Sequence, residues 1–409
     1  MTQEFELNQL NQLNQLTDLT KLAHTRLTRR SWLVLTGAAL AGCGGGGGSS
    51  PMAALPGTGG TGSPVFAQGT ISGFGSVIIN GVRFDDGLAS VTVDGVTAAS
   101  TDLRLGMVAG IQGSRSAADA TQVTASSVEV WSIAQGAVTS ADAGEFEVAG
   151  MTVQTDSNTT LDGFQASSDL HTGSVVTVWG MPAGTNSDHW LATRVALLTA
   201  TTALTTVSSG VIDASHDGLK LNELTLTGSL SAALVTGQWV RVVGSLSLDR
   251  HSLAVTDVQQ TNPGLAQKSH SDSGTEVEIE GFVTTVLSPS RLMLGQTEVD
   301  VSNAVYSPPG AVIAVNDRVE VHGTWAGNVL RVTSLEQKDS KVLNAIEITA
   351  RIDQFTSLSD FVMRGQRCDA QSATYSHGVA ADVRQGVKVK VTGTQSGGLL
   401  KVATLEFNT

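Results

Sequence analysis

The chain of 409 residues is poor in several residue types, and each shortage excludes a class of protein. Its two cysteines, Cys43 and Cys368, cannot supply the disulfide framework of a small secreted scaffold. Charged residues make up 15% of the chain and aromatic residues 4%, whereas charged residues usually reach ~25%. Cores must therefore be built mainly from Val, Leu, Ile and Ala.

Positive charge is also scarce, because 24 Lys and Arg face 37 Asp and Glu, for a formal net charge of −13. An acidic surface repels phosphate backbones, so nucleic acid is not expected as a partner. The eight histidines are scattered, and no His-Glu-x-x-His, Cys-x-x-Cys or Gly-x-Ser-x-Gly motif is present. We therefore predict no catalytic, cofactor-binding or metal-binding residues, and interpret the protein as non-enzymatic.

One phrase of eight residues recurs five times: a glycine, an alternating stretch, and a second glycine seven positions on. Asn316 replaces the first glycine in the fourth copy. Internal repetition at this scale indicates an array of similar modules. The copies are residues 106–113, 173–180, 237–244, 316–323 and 386–393.

Alternation within each copy puts two small apolar residues on one face of a strand, as a barrel interior requires. These inner pairs are Ala109 and Ile111, Val176 and Val178, Val240 and Val242, Val319 and Val321, and Val389 and Val391. The residue between each pair varies in size and charge, which is typical of a solvated face. The intervening residues are Gly110, Thr177, Arg241, Glu320 and Lys390.

Each copy is preceded by a short opening strand, which is led by glycine in four modules and by Ala350 in the fifth. A hairpin follows the opening strand, as at residues 78–84, and one more alternating strand follows each copy. The glycine-led opening lies 42 to 44 residues before the closing glycine, except in the third module, where 34 residues indicate a lost loop or strand. The predicted fold class is all-β, with five tandem small β-barrel modules, OB-like and closed. Closure is expected to remove the strand edges that would otherwise pair between modules.

The predicted organisation begins with a disordered N-terminal signal and a Gly-rich tether. The segments are 1–43 signal peptide, 44–65 Gly/Ser/Pro tether, 66–133 module 1, 134–200 module 2, 201–261 module 3, 262–274 linker, 275–340 module 4 and 341–409 module 5.

The glycine-led opening, the hairpin at 78–84 and the Gly-x6-Gly strand together resemble tandem copies of the domain-of-unknown-function 5666 family, over residues 66–408. The resemblance implies a β-barrel repeat in a proteobacterial envelope protein, often behind a lipoprotein signal. It implies no reaction and no catalytic residues.

The N-terminus carries an export signal. An apolar stretch at 32–42, too short to span a bilayer, follows Arg29 and Arg30 and ends at Cys43 in a lipobox-like Leu-Ala-Gly-Cys. We predict lipidation of Cys43; the alternative is a plain secretory signal with an unmodified cysteine. Arg29 and Arg30 fit either a twin-arginine motif or a generic positive flank. The predicted location is the cell envelope, anchored through lipid to the outer membrane and facing the periplasm or the surface.

Tryptophan gives the one hint of binding. Trp179 and Trp239 fall on the outer register of their strands and Trp325 lies near a turn, so these rings could contact a ligand or a neighbouring module. Cys368 ends a strand and is expected to be buried. We favour a spacer or interaction protein with envelope proteins or glycans as partners. A polysaccharide- or peptide-binding protein using outward tryptophans, and an envelope enzyme, are the alternatives.

Overall fold

The computed structural model describes residues 63–119, 121–185, 189–198, 205–216, 218–259, 275–339 and 345–407. The predicted signal peptide, with Arg29, Arg30 and Cys43, and the predicted linker at 262–274 lie outside these residues. The first strand begins at Ser63, so the end of the predicted tether already belongs to a strand. Within the described residues no helix has the length and apolar character needed to cross a bilayer.

The described chain is almost entirely β-structure, and its strands fall into five consecutive groups, named barrels 1 to 5 in chain order. Barrel 1 contains β1 (Ser63–Phe74), β2 (Val77–Ile79), β3 (Val82–Asp85), β4 (Ser90–Val93), β5 (Val96–Ala98), β6 (Val108–Arg115) and β7 (Val123–Val130). Barrel 2 contains β8 (Ala134–Asp142), β9 (Glu145–Val148), β10 (Met151–Gln154), β11 (Thr160–Asp162), β12 (Val175–Ala183) and β13 (His189–Leu197). Barrel 3 contains β14 (Thr206–Ser215), β15 (Gly218–Leu221), β16 (Leu224–Thr227), β17 (Trp239–Leu246) and β18 (Ser252–Gln259).

Barrel 4 contains β19 (Glu276–Ser288), β20 (Arg291–Leu294), β21 (Thr297–Asp300), β22 (Val305–Ser307), β23 (Arg318–Ala326) and β24 (Val329–Lys338). Barrel 5 contains β25 (Ala345–Arg351), β26 (Gln354–Ser357), β27 (Asp360–Met363), β28 (Gln366–Asp369), β29 (Thr374–Ser376), β30 (Lys388–Ser396) and β31 (Leu399–Phe407). Short 3-10 turns lie at Ser100–Asp102, Ser167–Asp169, Ser229–Ala233 and Ala380–Asp382.

Strand pairing closes each group into a ring. In barrel 1 the order is β1-β2-β3-β7-β6 and back to β1. Barrels 2, 3 and 4 repeat this order with β8-β9-β10-β13-β12, β14-β15-β16-β18-β17 and β19-β20-β21-β24-β23. In barrel 5 the first strand is broken into β25 and β26, and the ring runs on through β27, β28, β31 and β30. The prediction of an all-β fold built from small closed barrels is confirmed; the module boundaries stay a prediction.

The barrel interiors are filled by the small apolar residues that alternation selected. All ten predicted inner residues, from Ala109 to Val391, are 0% exposed. The interior of a barrel this small is filled by side chains, and these ten positions take residues no larger than isoleucine. The inner face of each repeated phrase was therefore readable from the sequence.

The two glycines of the repeated phrase serve different purposes. The opening position has positive φ, +83° at Gly386 and +73° at Asn316, a conformation that Gly adopts freely and Asn tolerates. The closing position has no such angle but lies at a β-bulge. A Cβ added to Gly323 would lie 2.1 Å from the Arg331 carbonyl oxygen, and one on Gly393 would lie 2.0 Å from that of Lys401. The second glycine therefore permits close backbone approach.

A further short strand lies parallel to the last strand in four barrels: β4 on β7, β11 on β13, β22 on β24 and β29 on β31. Between β16 and β17 the described residues hold only the 3-10 turn Ser229–Ala233. The shorter spacing between glycines in the third module thus reflects the absence of this short strand from the described residues of barrel 3.

Strand edges are not removed by closure, contrary to the expectation. The N-terminal half of β1 pairs with β6 on one side, while β2 reaches only its C-terminal end. The free side of residues 65–68 pairs in parallel with the same half of β19, at 276–279. Residues 73–74 pair in parallel with β25 at 347–348. Barrel 1 is therefore joined to barrels 4 and 5 by main-chain hydrogen bonds.

Four of the five intervening outer positions of the repeated phrase are buried, contrary to the solvated face that was expected, and only Lys390 keeps 34% of its side chain exposed. Thr177, Arg241 and Glu320 are 4–5% exposed, because neighbouring barrels cover them. The cores reflect the same contacts, since Phe66 of barrel 1 is buried in the apolar cluster of barrel 4. The outer strand faces that the sequence predicted to be exposed to solvent are therefore largely buried between barrels.

Candidate functional site

The largest concentration of buried charge lies on the outer face of β19 and β23, where barrel 4 meets barrel 1. Alternation turns Val277, Ile279, Val319 and Val321 into the barrel and the residues between them outward. The antiparallel register places Glu278 opposite His322 and Glu280 opposite Glu320. Besides Glu276 at the edge, five charged or titratable side chains therefore share one sheet face: Glu278, Glu280, Arg318, Glu320 and His322.

Arg318 and Glu280 form the most buried ion pair of this face. Arg318 Nη2 lies 2.6 Å and Nε 2.7 Å from Glu280 Oε1, and the two side chains are 7% and 8% exposed. Glu280 Oε2 accepts a hydrogen bond from the backbone N–H of Thr70 in barrel 1 at 3.3 Å. Because the two charges are buried against each other, removing one would leave the other buried without an opposite charge.

Glu278, Glu320 and His322 form a second cluster beside this pair. His322 Nε2 lies 3.0 Å from Glu320 Oε1, and His322 Nδ1 lies 3.6 Å from Glu278 Oε2. Lys338 Nζ lies 2.9 Å from Glu320 Oε2. One donor atom from each of the three residues falls within 4.8 Å of the others, a spacing that a metal ion could bridge.

The environment shifts the pKa values of these groups in different directions. Burial raises the pKa of Glu278 to about 7, against an opposing effect of His322. The Glu320 hydrogen bond raises the pKa of His322. Burial acts on Glu320 too, but hydrogen bonds from His322 and Lys338 outweigh it and lower the pKa. Two neighbouring carboxyls whose pKa values move apart are a feature of functional sites, although structural ion networks show it too.

A polar cavity of about 340 Å³ lies beside these residues and is lined by residues of barrels 1, 4 and 5, among them Asn80, Glu320 and Glu347. On its barrel 5 side, Arg83 holds the Glu347 carboxylate through two 2.7 Å hydrogen bonds, one to each oxygen. Lys390 Nζ lies 3.2 Å from the same carboxylate. Charge therefore lines the cavity and fastens barrel 5 to barrel 1.

The residues singled out in the sequence lie elsewhere and apart from one another. Trp179 is 6% exposed and packs in the cluster shared by barrels 1 and 5, with Arg194 over its ring. Trp239 is half-buried against barrel 2, its ring centroid 5.5 Å from that of Trp190. Trp325 is 8% exposed inside its own barrel. None of the three therefore presents an open ring to solvent.

Cys368 is fully buried, and burial raises the pKa of its thiol to about 12. The predicted buried thiol is confirmed, and its high pKa keeps it a poor nucleophile at neutral pH.

Sequence reasoning missed the charged cluster, although its signal was present. Glu276, Glu278 and Glu280 alternate along one strand, and Arg318, Glu320 and His322 alternate along another. Alternation alone places each set on one face, but the same pattern is typical of an exposed strand. Only the register of β19 against β23, and the barrel that covers them, bring the sets together and bury them.

Comparison with known proteins gives one family. The model described as "Domain of unknown function (DUF5666)" matches residues 135–196 and 274–336, which correspond to barrels 2 and 4. The expected family resemblance is thereby supported for these two copies. No curated protein matches the chain. A solved structure, drosophila Unr CSD456, aligns with 43% of this chain and 79% of its own at 11% identity, with a TM-score of 0.13, a likeness too weak to carry an argument.

Proposed function

We propose that the protein is a non-enzymatic, lipid-anchored scaffold of the cell envelope, in which joined barrels form a stiff spacer and interaction body. The observation that carries the proposal is the double pairing of β1, whose backbone joins β19 of barrel 4 and β25 of barrel 5. Modules joined by main-chain pairing cannot swing freely, as beads on flexible linkers do.

Polar contacts of buried side chains support the same interpretation at two other junctions. Arg241 of barrel 3 places its Nη2 atom 3.0 Å from Oδ1 of Asp94, which follows β4 of barrel 1. Its Nε donates a hydrogen bond to the carbonyl oxygen of Ser132, just after the last strand of barrel 1. Arg194 of barrel 2 donates to the Leu105 carbonyl oxygen at 3.1 Å. Hydrogen bonds from buried guanidinium groups fix orientation as well as contact. A body built in this way keeps its shape when it is tied to a surface at one end.

The proposal has two further parts: the protein is anchored to the membrane through lipid on Cys43, and its partner is an envelope protein or a glycan. The version in which outward tryptophans stack on sugars finds no support in the packing of Trp179, Trp239 and Trp325. A partner would instead meet the loops and outer faces that the barrels leave open. We therefore expect recognition by a folded surface rather than by one aromatic platform.

Fractionation of cells that express the full chain tests the anchor. Cys43→Ala is expected to move the protein from the membrane to the soluble fraction and from the detergent phase to the aqueous phase, because lipid is its only predicted membrane contact. Cys368→Ala is the matched control and should stay membrane-bound, since that thiol is buried inside barrel 5. Chemical crosslinking in the same cells should capture a defined envelope partner. Unchanged membrane partitioning of Cys43→Ala would contradict the proposal.

A further inference from the structure

We propose that Glu278, Glu320 and His322 form a binding site for one divalent transition-metal ion, of which Zn²⁺ is the reference. This site is independent of the scaffold role and of the lipid anchor. One imidazole nitrogen and two carboxylates are donors that Zn²⁺ accepts in proteins. Three protein ligands leave a coordination position open to water or a further ligand.

Backbone geometry sets up the three ligands. Glu278 and His322 are directly opposite on paired strands, and Glu320 lies two residues before His322 on the same face. Side chains related in this way stand side by side on a sheet, and their donor atoms fall within 4.8 Å of one another. Donor atoms bound at about 2.0–2.2 Å around a tetrahedral metal lie roughly 3.3–3.6 Å apart, so binding would draw the most distant of these donors together by up to roughly 1.5 Å. His322 keeps 43% of its side chain exposed, which gives an ion a path from solvent.

A second observation points independently to a ligand. Glu278 is 5% exposed, and its Oε1 accepts no hydrogen bond of normal geometry, although the Asn80 side chain lies close enough to lower the pKa of the carboxyl. Its Oε2 comes no nearer to His322 than 3.6 Å, which is beyond hydrogen-bonding distance. A buried carboxylate oxygen without a partner costs free energy. A cation between Glu278 and His322 would compensate that oxygen.

Neighbouring cations orient the site without filling it. Lys338 holds Oε2 of Glu320 and also contacts Glu336, while Oε1 of Glu320 faces His322. Arg318 is occupied by Glu280. Partners of this kind fix a ligand carboxylate in place and commonly affect metal affinity. Glu278 and Oε1 of Glu320 remain for the ion.

Barrel 5 supplies a comparison within the chain. The positions of Glu278, Glu320 and His322 correspond there to Glu347, Lys390 and Thr392, because both sets share the same register with the closing glycine. Lys390 already neutralises the Glu347 carboxylate, from which its Nζ lies 3.2 Å away. Thr392 has no imidazole that could bind a metal. The repeat therefore forms the same backbone frame twice but carries metal ligands once.

Equilibrium dialysis and calorimetry on the full chain, purified without a histidine tag and stripped with a chelator, test the site with Zn²⁺ as the probe. We expect one high-affinity ion per chain and a rise in melting temperature on adding Zn²⁺. His322→Gln and Glu278→Gln should each weaken binding by at least ~10-fold and abolish the rise. The control is His377→Gln, because His377 pairs with Glu406 at 3.4 Å outside any three-residue cluster; it should bind as wild type.

Absorption of bound Co²⁺ gives a readout of the ligand set itself, and should change with His322→Gln and not with His377→Gln. Equal Zn²⁺ binding by wild type and His322→Gln, or no saturable binding up to about 1 mM, would overturn the proposal. If Glu278→Gln fails to fold, His322→Gln decides the outcome, since its half-exposed side chain is not part of a core.

Discussion

Barrels 4 and 5 each have a glutamate at the equivalent position of their first strand, but different side chains surround the two glutamates. Glu278 follows the residue opposite Gly323, and Glu347 follows the residue opposite Gly393. Glu278 faces Glu320 and His322, whereas Glu347 is held by Arg83 and Lys390. The backbone frame is common to both, so the difference comes entirely from the outward side chains and from the barrel that covers them.

The consequence is a carboxyl group whose pKa moves in opposite directions in the two barrels. Burial raises the pKa of Glu278 to about 7. The Arg83 hydrogen bond lowers the pKa of Glu347 despite its partial burial. The repeat thus specifies the fold through its inner face, while the outer face is free to diverge into a junction in one copy and a candidate ligand site in another.

The largest expected effect comes from breaking the buried pair that distinguishes barrel 4. Arg318→Met leaves Glu280 buried without its cation, so we expect a loss of about 3–5 kcal/mol in the free energy of unfolding at neutral pH. Lys388→Met is the matched change in barrel 5, where the equivalent side chain is exposed, and should cost less than about 0.5 kcal/mol. Urea denaturation compares the two; equal losses would mean that the two faces do not differ.

The closing glycines test what the two barrels share. Gly323→Ala and Gly393→Ala each place a Cβ about 2 Å from a carbonyl oxygen of the next strand, so each should cost about 2–4 kcal/mol as the bulge is forced open. Gly386→Ala meets no atom within 4 Å but adopts positive φ, and should cost about 1–2 kcal/mol. Denaturant midpoints measure the order, and a larger loss for Gly386→Ala would reverse our assignment of the two roles.

The pH dependence of two isosteric changes gives the most selective test. The raised pKa of Glu278 means that the stability linked to its proton is present below the unfolded pKa and is lost as pH rises toward about 7. In chelator-treated protein, Glu278→Gln should therefore stabilise by about 2–3 kcal/mol at pH 8 and change little at pH 4.

Glu347 should behave in the opposite way, because its folded pKa is lowered. Its contribution is present above the unfolded pKa and is lost as pH falls through the folded value. Glu347→Gln should cost about 1 kcal/mol at pH 7, reduced by the exposure of Arg83, and almost nothing at the lowest pH at which the protein stays folded. Parallel pH profiles for the two variants would show that their surroundings are equivalent.

Part of this structure was predictable because it depends on local rules. The spacing of glycines and the alternation of small apolar residues predicted barrel strands, and the ten inner residues from Ala109 to Val391 are all buried. The burial of Cys368 followed from the same alternation. The missing short strand of barrel 3 was visible as a shorter interval between glycines.

The outer positions were misjudged because their fate depends on contacts between distant segments. Glu320 and Arg241 read as solvated residues, since a charged side chain between two valines is typical of an exposed strand. They are buried because other barrels lie over them. Trp239 was placed on the outward register correctly, but its surroundings are another barrel rather than solvent.

The sequence by itself determined which strands form, which face of each strand turns inward and where the backbone must come close, because these follow from side-chain period and glycine sterics. The tertiary structure alone decided that free halves of the first strands pair across barrels, and that Glu278, Glu320 and His322 meet. The register between strands whose paired residues lie 36 to 48 positions apart and the docking of one closed ring on another are set by the sum of many weak contacts, which no local pattern records.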